Sequence, residues 1–255
     1  MRTPTSDTPL YLTRATLKHS PDVRALVQTL LPDNANERAL AAHRLVWSLF
    51  AGGEEHDTER KRDFLWRELA PGQFFTLSER PPPEEHAFFD IAEPKEFAPA
   101  LSPGDRLAFS LRANPVKTLN GAMMGQKNGK HVDVVMRKKH FLKQKCGDSP
   151  EARKKWPAFR TIEREALTEW LSGQGARHGF ALAEADDDHP DRPPLRTGGY
   201  QTIRFRHPTG RVQYARADFD GVLTVTDPAA FLEKLAIGFG RAKSYGCGLM
   251  LIRRV

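Results

Sequence analysis

The stretch Pro228-Ala229-Ala230-Phe231-Leu232-Glu233-Lys234-Leu235-Ala236-Ile237-Gly238-Phe239-Gly240-Arg241-Ala242-Lys243-Ser244-Tyr245-Gly246-Cys247-Gly248-Leu249-Met250-Leu251-Ile252-Arg253 reads as a helix, a glycine loop and a closing strand. Proline near the first turn opens the helix over 228–237, Gly238 is placed to end it, and the apolar run 249–253 is extended. Between them, four glycines, two cations and a hydroxyl form a loop that can bring backbone N–H groups against a phosphate. A helix cap followed by a tight turn explains the same residues equally well. Nucleotide fingerprints do not fit: Lys243 stands where Gly-x-Gly-x-x-Gly needs its last glycine, and no Gly-Lys-Ser/Thr triplet exists. A nucleic-acid backbone is a better match than a mononucleotide.

Upstream of this run, 200–206 and 212–219 alternate as strands around the turn His207-Pro208-Thr209-Gly210-Arg211, and 222–226 continues the pairing. An amphipathic helix over 161–171 carries Ile162, Leu167, Trp170 and Leu171, and 105–112 is a strand. The order is β-α-β-β-α-β, the ferredoxin-like unit. The N-terminal part repeats it: a period-two strand at 10–17, a helix from Asn36 to Phe50 stopped by Gly52-Gly53, strands at 63–68 and 74–78 around Pro71-Gly72, a short helix at 84–88 and a weak strand to Phe97. The expected fold is therefore α+β, two tandem ferredoxin-like domains with antiparallel sheets, at 1–98 and 105–255. Pro99 to Gly104 is the connector. Residues 120–157 form a long basic insertion, expected to order largely on a partner.

The chain has 255 residues, 39% of them apolar, enough for a sizeable core. No apolar run approaches a membrane span, and Met1 to Pro9 lacks the core of a secretory signal, so a soluble cytoplasmic protein with no membrane partner is expected. Cys146 and Cys247 are far apart and outside any metal-ligand spacing, which argues against a disulfide scaffold and a structural zinc. The excess of 39 Lys+Arg over 32 Asp+Glu, a net charge of +7, favours a polyanionic partner. Seven of these cations fall between Lys127 and Lys145, opposed by Asp133 alone. The acidic run Asp186-Asp187-Asp188-His189-Pro190-Asp191 sits among prolines, so a solvated loop explains it better than a metal site; no metal or cofactor is expected.

Several segments together resemble the CasE endoribonucleases of type I-E CRISPR systems: Tyr11-Leu12-Thr13-Arg14, His43-Arg44-Leu45-Val46-Trp47-Ser48-Leu49-Phe50, Phe64-Leu65-Trp66-Arg67, Leu111-Arg112-Ala113-Asn114-Pro115-Val116-Lys117, and Gly238 to Gly248 before its strand. The resemblance spans nearly the whole chain in the family's order. It implies a protein that binds the stem-loop of a CRISPR repeat and cuts the precursor RNA at the 3′ base of the stem, without metal. The substrate's 2′-hydroxyl attacks the adjacent phosphate, leaving a 2′,3′-cyclic phosphate and a 5′-hydroxyl. It also implies that the protein stays with its product among the other subunits of the surveillance complex.

The family's catalytic histidine falls on His43. On helix pattern alone, between Leu40 and Trp47, this residue reads as a core histidine; the resemblance makes it the general acid or base. A tyrosine frequent in the family falls on Leu40, and a lysine of one branch falls on Ser48. Cations of the glycine loop and Tyr11 are the candidate substitutes. The hairpin with Arg204, Arg206, His207 and Arg211 corresponds to the family's RNA-gripping hairpin; Arg204 and Arg206 share a face by alternation. Arg241, Lys243 and Ser244 are assigned to phosphates, and Arg112, Asn114 and Lys117 complete the RNA-binding set. Two competing readings remain: an RNA-binding structural subunit that does not cleave, and a general single-strand binder with no preference for hairpins.

Overall fold

The computed structural model describes residues 8–50, 64–119, 130–183, 195–207 and 210–255. In the N-terminal half, β1 (Tyr11–Leu17) lies between β3 (Gln73–Ser78) and β4 (Phe89–Ile91), and β2 (Phe64–Ala70) flanks β3, giving the order β2-β3-β1-β4; β5 (Lys95–Glu96) also pairs with β1. All pairings are antiparallel. Helix α1 (Pro21–Leu30) starts at Ser20, whose hydroxyl accepts the Val23 amide; α2 (Ala35–Ser48) starts at Asn34, which accepts from Asn36 and Glu37. The apolar stripe Ala42, Leu45, Val46 and Leu49 lies on the sheet against Phe64, Trp66, Phe74 and Phe89.

The C-terminal half repeats the plan. Its elements are β6 (Arg106–Ala113), β7 (Val116–Leu119), β8 (Lys130–Asp133), α3 (Val134–Cys146), α4 (Pro150–Arg153), α5 (Phe159–Arg177), β9 (Phe180–Leu182), β10 (Leu195–His207), β11 (Gly210–Val225), α6 (Pro228–Ile237) and β12 (Met250–Arg254). The main sheet runs β10-β11-β6-β12, the same order as β2-β3-β1-β4, with β9 on β11. One face is covered by helices, where Phe109, Leu111 and Phe219 meet Leu167, Trp170, Leu171, Phe231 and Leu235.

Three expectations change. Residues 84–88 are irregular: His86 Nδ1 accepts the Phe88 amide at 3.1 Å, a hydrogen a helix would direct to Glu84. Helix α1 is absent from the sequence reading although Val23, Leu26, Val27 and Leu30 recur at helical spacing; Val23 is buried, whereas Leu26 and Val27 are exposed. The insertion is built into the fold over 130–153: Asp133 caps α3, and Lys138 bridges Glu165 at 2.9 Å and Glu169 at 2.6 Å on α5. Residues 120–129 lie outside the described set.

The halves meet through the faces their helices leave open. Leu65 and Leu77 of the first sheet pack on Leu249, with Leu12, Phe75 and Leu251 around them. Beside this apolar patch lies a charged one. Asp218 of β11 stands opposite Arg112 of β6 and accepts from its Nε at 2.8 Å and Nη2 at 3.1 Å, while Arg67 of β2 approaches at 3.8 Å. Arg67 is only 5% exposed, and its Nε and Nη1 have no hydrogen-bond partner among the described residues. Burial holds Arg67 and neighbouring Arg216 below the ordinary arginine range.

Candidate active site

Helix α2 packs on two surfaces at once. Ala42 and Val46 face the first sheet, while Ala39 touches Ile203, Tyr214 and Cys247 of the second half, and the Asn36 side chain accepts the Arg204 amide at 2.8 Å. His43, one residue after Ala42 and four after Ala39, falls on the seam and is half-buried. Its Nδ1 lies 2.7 Å from the Ser244 carbonyl oxygen. A carbonyl only accepts, so Nδ1 carries hydrogen, and in the neutral ring Nε2 holds the lone pair. The indole Nε1 of Trp66 donates to the same carbonyl at 3.2 Å. Trp47 meets the imidazole edge-on at 5.8 Å and Tyr245 tilts against it at 5.2 Å between centroids. Tyr245 is in turn stacked on Tyr214 at 5.6 Å and braced by Phe205.

The glycine loop delivers Ser244 to this place. Gly238 ends α6 by donating to the Lys234 carbonyl, the Phe239 amide closes the loop on the Gly248 carbonyl at 2.9 Å, and the Gly248 amide ties it to Arg112 of β6 at 2.7 Å. Lys243 to Tyr245 form one 3-10 turn entered through Ala242 at φ 53°. Two glycines are required by contact. At Gly240, φ +67°, a Cβ would stand 2.5 Å from the Asn114 carbonyl oxygen; at Gly246, φ +74°, it would stand 3.0 Å from the Trp66 ring. The loop is thus both a helix cap and a wedge between the halves.

Arg204, Arg206 and Arg211 are exposed on the β10–β11 hairpin, Arg206 directly opposite Arg211; His207 is half-buried opposite Gly210, and 208–209 are outside the described residues. Arg241 is exposed, bridges to Asn114 and hydrogen-bonds His131 Nε2. Lys243 Nζ donates to the Ile237 carbonyl at 2.6 Å, so its ammonium serves the loop itself. Two members of the expected RNA set are engaged inside the fold. Asn114 is 4% exposed and donates to the Ala215 carbonyl, and Arg112 is held by Asp218. Lys117 lines a separate groove between β7, α3 and α5. Leu40 is half-buried, and Tyr11 stands opposite Ser78 and Glu96 on β1; the tyrosine against the imidazole is Tyr245. Tyr245 and Trp66 were both missed as site residues. Their only sequence signal is the place of Tyr245 next to Ser244 and of Trp66 in the Phe-Leu-Trp-Arg strand.

A cavity of about 300 Å³ opens beside the site, walled by Ala42, Trp66, Tyr245 and the guanidinium groups of Arg38, Arg112 and Arg216. Among the described residues no group of three or more His, Cys, Asp or Glu side chains is arranged to hold a metal, and no helix is long and apolar enough to cross a membrane. The run Asp186 to Asp191 lies outside the described residues.

The fold has counterparts among known proteins. A family profile described as "CRISPR associated protein" matches residues 10–254. The chain belongs to this family. It is 28% identical over 214 residues, 82% of its length and 88% of the relative's, to the CRISPR system Cascade subunit CasE of Escherichia coli. It is 30% identical over 171 residues, 66% of its length and 65% of the relative's, to the CRISPR-associated endoribonuclease Cse3 of Thermus thermophilus. The structure of Thermus thermophilus Cse3 bound to an RNA representing a pre-cleavage complex superposes with a TM-score of 0.62 at 24% identity, covering 96% of this chain and 99% of that one. The CasE-family membership and the paired ferredoxin-like architecture expected from the sequence agree with these matches.

Proposed function

We propose that this protein is a metal-independent endoribonuclease that binds a CRISPR repeat hairpin, cuts precursor RNA at the 3′ base of the stem and remains bound as a subunit of a type I-E surveillance complex in the cytoplasm. The observation that carries the chemistry is the hydrogen bond from His43 Nδ1 to the Ser244 carbonyl. It fixes the tautomer, so proton exchange passes through Nε2. Neutral Nε2 takes the proton of the 2′-hydroxyl as that oxygen attacks the adjacent phosphorus. The bond to the 5′-oxygen breaks, that oxygen takes a proton from solvent water as it leaves, the imidazolium returns its own to solvent, and the products are a 2′,3′-cyclic phosphate and a 5′-hydroxyl. The exposed Arg204, Arg206 and Arg211 supply cations for the stem, with Arg241 beside the loop. Arg206 and Arg211 face each other across the hairpin, an unfavourable pairing that a polyanion would relieve. Units at 1–98 and 105–255 carry the two halves of this site.

Names of the relatives support the same reading, since one is an endoribonuclease and the other a Cascade subunit. Leu40 in place of the family tyrosine keeps a second reading, a subunit that holds RNA without cutting it. Cleavage of repeat RNA in EDTA decides between them. The wild type cuts; His43→Ala loses about 10²–10⁴-fold in rate while hairpin affinity stays within about twofold. Wild-type RNA left intact would support the second reading, and equal rates would remove His43 from the mechanism. In competition at fixed salt, an unstructured strand should displace the hairpin poorly.

A further inference from the structure

On the helix-covered side of the second half, β7, α3 and α5 enclose a groove of about 480 Å³ that the proposed cleavage does not use. Its floor is apolar, built from Val134 and Leu142 of α3 and Trp170 of α5. Phe141 is exposed at the edge, 52% accessible, with the Arg137 guanidinium lying 5.0 Å from its ring centroid. The rim is cationic. Lys117, Arg137, Lys145 and Arg177 form no ion pair among the described residues. The one acid in the lining, Glu169, is taken by Lys138 at 2.6 Å.

Given membership of a multi-subunit assembly, on which this inference rests, we infer that the groove receives a segment of a neighbouring protein subunit: an apolar side chain on the floor, flanked by Asp or Glu that meet the four rim cations. Charge complementarity selects an acidic occupant, and the closed apolar floor selects a peptide over a phosphate backbone, which gains nothing from apolar walls. Base stacking finds one ring face here at most, because the Arg137 guanidinium lies over the Phe141 ring, and Trp170 is 7% exposed with its N–H given to the Val116 carbonyl. This chain's own acidic run, Asp-Asp-Asp-His-Pro-Asp at 186–191, offers no apolar anchor.

Photo-cross-linking in the assembly tests it. The chain carrying Phe141→p-benzoylphenylalanine is co-expressed with the complex's subunits and repeat RNA, irradiated, and the adduct is located by mass spectrometry. The expected adduct is on a neighbouring subunit, within a segment that pairs an apolar residue with Asp or Glu. In parallel, the Arg137→Glu, Lys145→Glu double variant should lose at least about tenfold in retention by the assembly, with repeat cleavage by the isolated protein within about twofold of wild type, and Arg137→Lys, Lys145→Arg should restore retention. An adduct on RNA, an adduct on residues 184–194 of the same chain, no adduct, or unchanged retention overturns the inference. Should the wild type not cleave RNA, the cleavage reading alone fails; the adduct still decides the groove.

Discussion

One peptide oxygen, the Ser244 carbonyl, sets the state of the catalytic candidate by accepting from His43 and Trp66 together. Trp66→Phe removes the indole donor together with the outer ring that meets Gly246, loosening the carbonyl that orients the imidazole. A hydrogen bond of this kind is worth about 1 kcal/mol, so kcat should fall about fivefold with little change in RNA affinity, as single-turnover and binding assays would show. A second residue-scale prediction concerns acid. Burial first, then the cations Lys234 and Arg177, hold the His178 imidazole down at about 4. Its unfolded value is about 6.5, so its contribution is complete above that pH and is lost as pH falls towards 4, where the unfolded chain binds a proton the folded one refuses. Melting curves of wild type and His178→Gln should converge as pH drops through this window; a constant gap would contradict it. The helix pattern alone made His43 a core histidine; only the resemblance singled it out, and the structure sets it half-buried on the seam. The internal partners of Arg112 and Asn114, Asp218 and Ala215, could not be read beforehand because they lie 106 and 101 positions away, and no window of sequence shows that a polar group is already answered.

Among the elements, strands with strict alternation and one buried face were readable, β1 and β6 best of all, since Thr13, Ala15 and Leu17 or Leu107, Phe109, Leu111 and Ala113 point inward at period two. Helix α3 was hidden for the opposite reason: five Lys and Arg are interleaved with its five large apolar residues and blur the stripe, while the Asp133 cap and Lys138 reaching α5 hold the helix in place. The β10–β11 hairpin was legible in position and charge. Its function has an elemental test, because Arg204→Ala, Arg206→Ala and Arg211→Ala each remove one exposed cation without touching the inward Ile203 and Phe205. Each should weaken hairpin RNA binding and reduce the slope of log affinity against log salt by about 0.7–0.9. Filter binding at four salt concentrations measures it, and an unchanged slope would take that residue off the RNA.

At the scale of the whole molecule, two sheets of identical strand order face each other, and their contact is half apolar, at Leu65, Leu77 and Leu249, and half ionic, at Arg67, Arg112 and Asp218. Asp218→Asn would leave two guanidinium groups in the seam without their carboxylate. Breaking such a pair costs about 3 kcal/mol, so the urea midpoint should drop accordingly, while Asp90→Asn on the exposed edge should leave it unchanged. Sequence patterns anticipated both sheets but not how they dock, because the partners across the seam, Leu65 and Leu77 with Leu249 and Arg67 with Asp218, come from strands far apart in the chain and no single strand's pattern records the pairing. The seam also decides when the protein becomes competent. The imidazole belongs to residue 43 and the oxygen that disciplines it to residue 244. During translation the first half can emerge and fold while its histidine still tumbles between tautomers. On the proposal that His43 carries the proton, a nascent chain holding RNA would lack a tuned carrier until the ribosome has delivered the stretch 238–248, and cleavage would wait for the finished copy.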